Sequence, residues 1–119
     1  MIILREYMHR DFVELASFEK AARRLNINDD QLAEIQNYIL NSDNLLGTNI
    51  GNDVYKIRYK LPNTNSGKRG GIRIIYIDVI FKEKIYLVTA YSKKEKSDLT
   101  SEEYKVLKEL SNFLQREGV

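Results

Sequence analysis

The stretch from Val54 to Ser92 constrains the fold most. Val54 to Leu61 alternates, with Tyr55, Ile57, Tyr59 and Leu61 on one side and Lys56, Arg58 and Lys60 on the other. Because successive side chains of a strand point to opposite faces, this predicts a strand with one buried face and one basic face. Pro62 to Gly71 is a polar, glycine-rich loop. Ile72 to Phe81 is apolar on both faces, the pattern of a central strand covered on both sides. Phe81 to Lys84 makes a tight turn, and Lys84 to Ser92 is a further strand rich in β-branched and aromatic residues.

The flanking segments are helical by spacing. Ile2 to Tyr7 reads as a short strand, and Arg10 to about Leu25 as a helix. Phe12, Leu15, Phe18, Ala22 and Leu25 recur at the three- and four-residue intervals of one helical face. Asn26-Ile27-Asn28-Asp29 interrupts that helix, and Asn28 or Asp29 can cap the next. The second helix runs to about Leu40 with Leu32, Ile35 and Ile39 inward, and the short connection implies a helical hairpin. Asn41 to Asp53 carries turn residues, and Thr100-Ser101-Glu102-Glu103 is a capping box opening a last helix lined by Tyr104, Leu107, Leu110 and Leu114. The expectation is one α+β domain over residues 1–119, with an N-terminal strand and helical hairpin packed on an antiparallel sheet and a C-terminal helix.

Composition removes several function classes. The chain has no Cys and a single His, His9, so no disulfide, thiolate metal site or imidazole zinc site is expected. No cofactor is implied. No apolar run approaches the roughly 20 residues that span a bilayer. The opening Met1-Ile2-Ile3-Leu4-Arg5-Glu6 turns acidic too early for a secretory signal, so a cytoplasmic protein with no membrane partner is expected.

Charge is unevenly placed. Between Lys56 and Lys94 lie ten basic and two acidic residues, a net +8; the total of +2 leaves −6 for the remainder. Such asymmetry suggests a polyanion-binding half, although an ordinary solvated sheet face has the same appearance. Pairing geometry sharpens this. With a turn centred near Lys82 and Glu83, an antiparallel pair sets Arg73 opposite roughly residue 92, beside Tyr91 and Lys93. With the preceding loop centred near Ser66, Arg73 falls near residue 59, flanked by Arg58 and Lys60. Arg58, Lys60, Arg73, Tyr91 and Lys93 therefore converge at one end of the sheet, with Lys68 and Arg69 of the loop overhanging it. A cluster of cations is unfavourable without an anion between its members, and phosphate is the natural one. Arg73 in an apolar strand demands a partner if buried; pairing with Asp78 is disfavoured because the two point to opposite faces. Tyr91 is as readily a core aromatic as a functional one.

These residues carry a family pattern. The strand with Lys56-Ile57-Arg58, the loop Gly67-Lys68-Arg69-Gly70-Gly71-Ile72-Arg73, and Tyr91-Ser92-Lys93 ahead of the Asp98-Leu99-Thr100 helix cap resemble HigB-like toxins of the RelE/ParE superfamily. The resemblance covers Val54 to Leu110 by motif and the N-terminal helices by layout. Ile72 stands where relatives often have an aromatic residue, and Lys60-Leu61-Pro62-Asn63 replaces a more glycine-rich loop.

The resemblance implies a toxin of a type II toxin–antitoxin system: a metal-independent endoribonuclease that cuts messenger RNA on the ribosome. Carried over by position, Arg58, Arg73, Tyr91 and Lys93 would be catalytic, and Lys56, Lys60, Lys68 and Arg69 would bind RNA. The ribose 2′-OH would attack the adjacent phosphate, with Tyr91 or a lysine of depressed pKa moving the proton. The implied partner is a HigA-like helix-turn-helix antitoxin, through which alone operator DNA would be met. A ParE-like gyrase inhibitor and a non-catalytic RNA- or ribosome-binding module are the competing readings.

Overall fold

The computed structural model describes residues 9–41, 47–60 and 71–116. In chain order the elements are β1 (Asp11–Glu14), α1 (Ala16–Arg24), α2 (Asp29–Leu40), β2 (Thr48–Asn49), β3 (Val54–Lys60), β4 (Gly71–Val79), a 3₁₀ turn (Ile80–Lys82), β5 (Lys84–Ser92) and α3 (Ser101–Arg116). The five strands form one sheet in the order β1-β5-β4-β3-β2. β4 lies at its centre and every residue from Ile72 to Val79 is buried, as expected of a strand apolar on both faces.

Each face of the sheet has its own core. On one, Phe18 and Ala21 of α1 and Ile35 and Ile39 of α2 pack on Ile57, Ile72, Ile74, Tyr76 and Leu87. On the other, Leu99 and, from α3, Leu107 and Leu114 cover Val54, Ile75, Ile77, Tyr86 and Tyr91. The helix boundaries follow from local chemistry. Asn28 Oδ1 accepts from Gln31 N (2.8 Å) while Gln31 Oε1 accepts from Asn28 N (2.9 Å), a reciprocal cap on α2. Thr100 and Glu103 do the same for α3, at 3.1 and 2.8 Å.

The N-terminal reading needs correction. The strand expected over Ile2–Tyr7 lies outside the described residues. Residues 11–14, read as the start of a helix, are instead strand β1, and α1 begins only at Ala16. β1 runs parallel to β5, Asp11 opposite Lys84 and Glu14 opposite Leu87, so the sheet is mixed rather than wholly antiparallel. Phe12 packs with the α1/α2 cluster and Val13 with the α3 cluster, a period of two inside a window whose apolar residues also fit helical spacing. Asp11 N donates to Glu83 O (2.7 Å) and Leu15 N to Leu87 O (3.0 Å), so this short strand satisfies an edge of β5 that would otherwise be unpaired.

Two further features set the frame of the site. Arg10 Nε donates to Asp78 Oδ1 at 2.7 Å and Arg10 NH2 to Asp78 Oδ2 at 3.4 Å, a buried pair joining the chain before β1 to β4. β5 also carries a bulge: Tyr76 pairs with Leu87 but Ile75 with Thr89, leaving Val88 as an extra residue.

Candidate active site

Three strands present one row of side chains. Arg58 of β3 lies directly opposite Arg73 of β4, and Arg73 directly opposite Tyr91 of β5. Their neighbours Ile57, Ile72, Ile74 and Ala90 face the α1/α2 core, so the row faces the α3 side. The bulge is what completes it. Had the Tyr76–Leu87 register continued, Arg73 would oppose Ala90, and Tyr91 would fall on the α1/α2 face with Leu87. The extra Val88 slips β5 by one residue and turns Tyr91 to the face that holds Arg73.

The row lines an open cleft of about 480 Å³. Lys56, Arg58, Arg73, Tyr91 and Lys93 all border it, with Ser97 and Asp98 from the segment before α3, and Tyr38, Gly47 and Thr48 opposite. Gly47 has φ +121°, and a Cβ there would run into Ile57 Cγ2 and lie 2.9 Å from Lys56 O, so the wall can approach β3 only with glycine at this position. Five of the expected site residues are thus brought together. Lys60, at the end of β3, is exposed and outside the cleft lining, and Lys68 and Arg69 lie outside the described residues. His9 is hydrogen-bonded through Nε2 to Asp11 Oδ1 (3.0 Å) on the surface and does not border the cleft.

A family model described as the RelE toxin of the RelE/RelB toxin–antitoxin system matches residues 12–117. The chain belongs to the RelE toxin family. Proteins of this family are the toxic partners of toxin–antitoxin pairs. Among the described residues of this RelE-family chain no helix is long and apolar enough to cross a membrane.

The cleft of this RelE-family chain is a cationic site left open by the fold. Arg73 is 8% exposed, yet no described carboxylate pairs with Arg73, Arg58 or Lys93. Asp78, the carboxylate nearest in the strand, is taken by Arg10. Burial and then the charge of Arg58 hold the Arg73 guanidinium below its ordinary pKa, while Tyr91 opposes them. An anion placed between the two arginines would relieve both effects.

Tyr91 is 3% exposed, with Lys96 Nζ 5.5 Å from its ring centroid. Burial pushes its phenol above the ordinary value; Asp98 and Tyr104 add to this, and Lys56 and Arg73 only partly offset it. At neutral pH it is a hydrogen-bond donor, not a base. Lys56 departs from the expectation of a depressed lysine. Burial disfavours its charge, but Tyr104, the hydrogen bond and charge of Asp98, and Tyr91 outweigh this and raise its pKa. Tyr104 and the Asp98 carboxylate beside it decide the direction.

That carboxylate, Asp98, is the cleft residue that sequence reasoning overlooked. Asp98-Leu99-Thr100 reads as a helix-cap signature, and the cap is in fact made by Thr100. Asp98 Oδ1 instead accepts from Leu99 N (2.7 Å), Tyr104 OH (3.1 Å) and Lys56 Nζ (3.4 Å). The missed signal was Tyr104 six residues on, in the first turn of the helix, which puts a phenol within reach of the segment before it.

Proposed function

We propose that this RelE-family toxin is an endoribonuclease of the HigB-like branch that cleaves messenger RNA on the ribosome. The observation that carries the reading is the Arg58–Arg73–Tyr91 row, which crosses three strands and lacks a carboxylate counter-ion among the described residues. Arg58 and Arg73 grip the scissile phosphate and stabilise the charge that builds on its oxygens as the 2′-OH attacks. Lys93 adds a point charge, and Lys56, Lys60, Lys68 and Arg69 bind the flanking RNA backbone. Tyr91, held as the phenol, protonates the departing 5′-oxygen. The products are a 2′,3′-cyclic phosphate and a 5′-OH. The nucleophile belongs to the RNA, so no side-chain nucleophile and no metal is needed in this scheme. The ribosome supplies the in-line geometry that an open, solvent-filled cleft does not. A HigA-like helix-turn-helix antitoxin silences the protein and is its only link to operator DNA.

The test is brief expression in bacteria with transcript ends mapped by primer extension. New cuts inside translated messages, lost in Arg73→Ala, weakened in Arg58→Ala and Lys93→Ala, and kept in Lys96→Ala, support the reading. Intact messages with accumulating gyrase–DNA breaks would replace it with a ParE-like activity. Ribosome binding without toxicity would replace it with a binding module.

A further inference from the structure

Among the described residues that line the cleft, Asp98 is the one carboxylate. We propose that Asp98 is the general base, accepting the 2′-hydroxyl proton on Oδ2; this rests on the endoribonuclease reading above. All three hydrogen bonds to the carboxylate, from Leu99 N, Tyr104 OH and Lys56 Nζ, fall on Oδ1. Oδ2 has no hydrogen-bond partner among the described residues, and Asp98 borders the same cleft as Arg58, Arg73, Tyr91 and Lys93. One oxygen is thus fixed by donors from β3, from α3 and from its own loop, and the other is left for a ligand.

The states of Tyr91, Lys56 and the arginines favour the same residue. Tyr91 is held as a phenol and Lys56 as an ammonium by the directions of their shifts. Arginines do not act as bases at neutral pH. Asp98 is the described carboxylate that lines the cleft. Its own pKa lies below the usual aspartate range: the Leu99 amide, Tyr104 and the bond and charge of Lys56 lower it, and desolvation opposes them. It is therefore ionised and ready to accept when RNA arrives. The incoming phosphate places negative charge beside it and raises its proton affinity at the moment the base is required. The step balances. The 2′-O–H bond breaks and its proton passes to Oδ2. The 2′-oxygen forms the new bond to phosphorus, the P–O5′ bond breaks, and O5′ leaves with its electron pair and takes the Tyr91 proton. Asp98 then returns its proton to water and Tyr91 regains one.

The experiment is single-turnover cleavage by the purified protein of an end-labelled message on programmed ribosomes, followed from about pH 6 to 8.5, where a depressed carboxylate is already ionised. Wild type should give a rate nearly independent of pH. Asp98→Asn, which keeps the Oδ1 acceptor, should lose about 10²–10⁴-fold in rate. Its RNA affinity should stay within about threefold, as for a group acting in the transition state. Its residual rate should rise about tenfold per pH unit, because hydroxide then removes the proton. Asp98→Glu should recover part of the loss with a flat profile. A purely structural Asp98 would predict equal losses in Asp98→Asn and Lys56→Met with the pH response unchanged, and that result overturns the assignment. Tyr104→Phe leaves the carboxylate in place and should keep the flat profile; acquiring hydroxide dependence there would also overturn it. If wild type cleaves and Asp98→Asn cleaves equally well, the base assignment falls alone. If wild type cleaves nothing, the nuclease reading falls with it.

Discussion

Replacing Arg73 by methionine should make the protein more stable and inactive at once. Arg73 is nearly buried, faces Arg58 in direct cross-strand register, and has no described carboxylate partner. Like charges directly opposed on a strand pair are destabilising, by up to about 1 kcal/mol in measured pairs. Coulomb's law for unit charges about 5 Å apart, the general spacing of directly opposed cross-strand Cβ atoms, gives about 1–3 kcal/mol between the dielectric of water and an effective value near 20. Desolvation acts in the same direction, as the depressed Arg73 pKa records. Methionine keeps a similar apolar stem and removes the charge, so Arg73→Met should gain about 1–2 kcal/mol in unfolding free energy. For a chain of this length that is roughly 4–8 °C in midpoint. Urea denaturation in dilute, non-binding buffer measures it. Sulfate should raise the wild-type midpoint above that in chloride of equal ionic strength, by RT ln(1 + [L]/Kd), and so narrow the gap to the variant. A variant less stable than wild type by about 1 kcal/mol or more would make Arg73 a structural residue and refute the reasoning. So would a wild type indifferent to sulfate.

Three further outcomes follow from the structure. Arg10→Ala should cost about 3–5 kcal/mol, because it leaves Asp78, 4% exposed, as an uncompensated buried charge; the urea midpoint of the variant measures it, and Asp78→Ala added to Arg10→Ala should lose less than the two singles together. Gly47→Ala should destabilise by about 1–3 kcal/mol, since a side chain at φ +121° meets both strain and the Ile57 methyl, and the same urea titration should show it. Glu95, bound by Arg24 at 2.6 Å, and Glu103, bound by Lys96 at 2.6 Å, have pKa values held below the usual glutamate range chiefly by those bonds. A depressed carboxylate contributes stability above its unfolded pKa and loses it as pH falls through the folded one. Thermal midpoints should therefore decline below about pH 4.5, less steeply in Glu95→Gln than in wild type.

The parts of the site that sequence reveals are those fixed by strand alternation and a short turn. Counting back from the Lys82–Glu83 turn places Arg73 within one residue of its true partner Tyr91, and counting from the long loop places it within one residue of Arg58. What stays hidden has no local signature. β1 is four residues long and finds its parallel partner some 70 positions away, so no turn announces it. The bulge at Val88 leaves the apolar pattern of β5 intact, yet it decides which face Tyr91 occupies. Asp98 sits in a cap motif whose hydrogen bonds belong to Thr100, and only the packing of α3 against the sheet turns it toward Lys56. Tyr104 and that contact together raise the Lys56 pKa, which no local pattern announces.

The proposed cleavage requires one phosphodiester held across β3, β4 and β5. Its most direct test is the end chemistry of RNA cut by the purified protein on programmed ribosomes, with one message carrying a single 2′-deoxy sugar at the cut site. The prediction is a 2′,3′-cyclic phosphate and a 5′-OH, with no cleavage of the deoxy message and none by Arg73→Ala. A 5′-phosphate end, or cutting that survives either change, would contradict it.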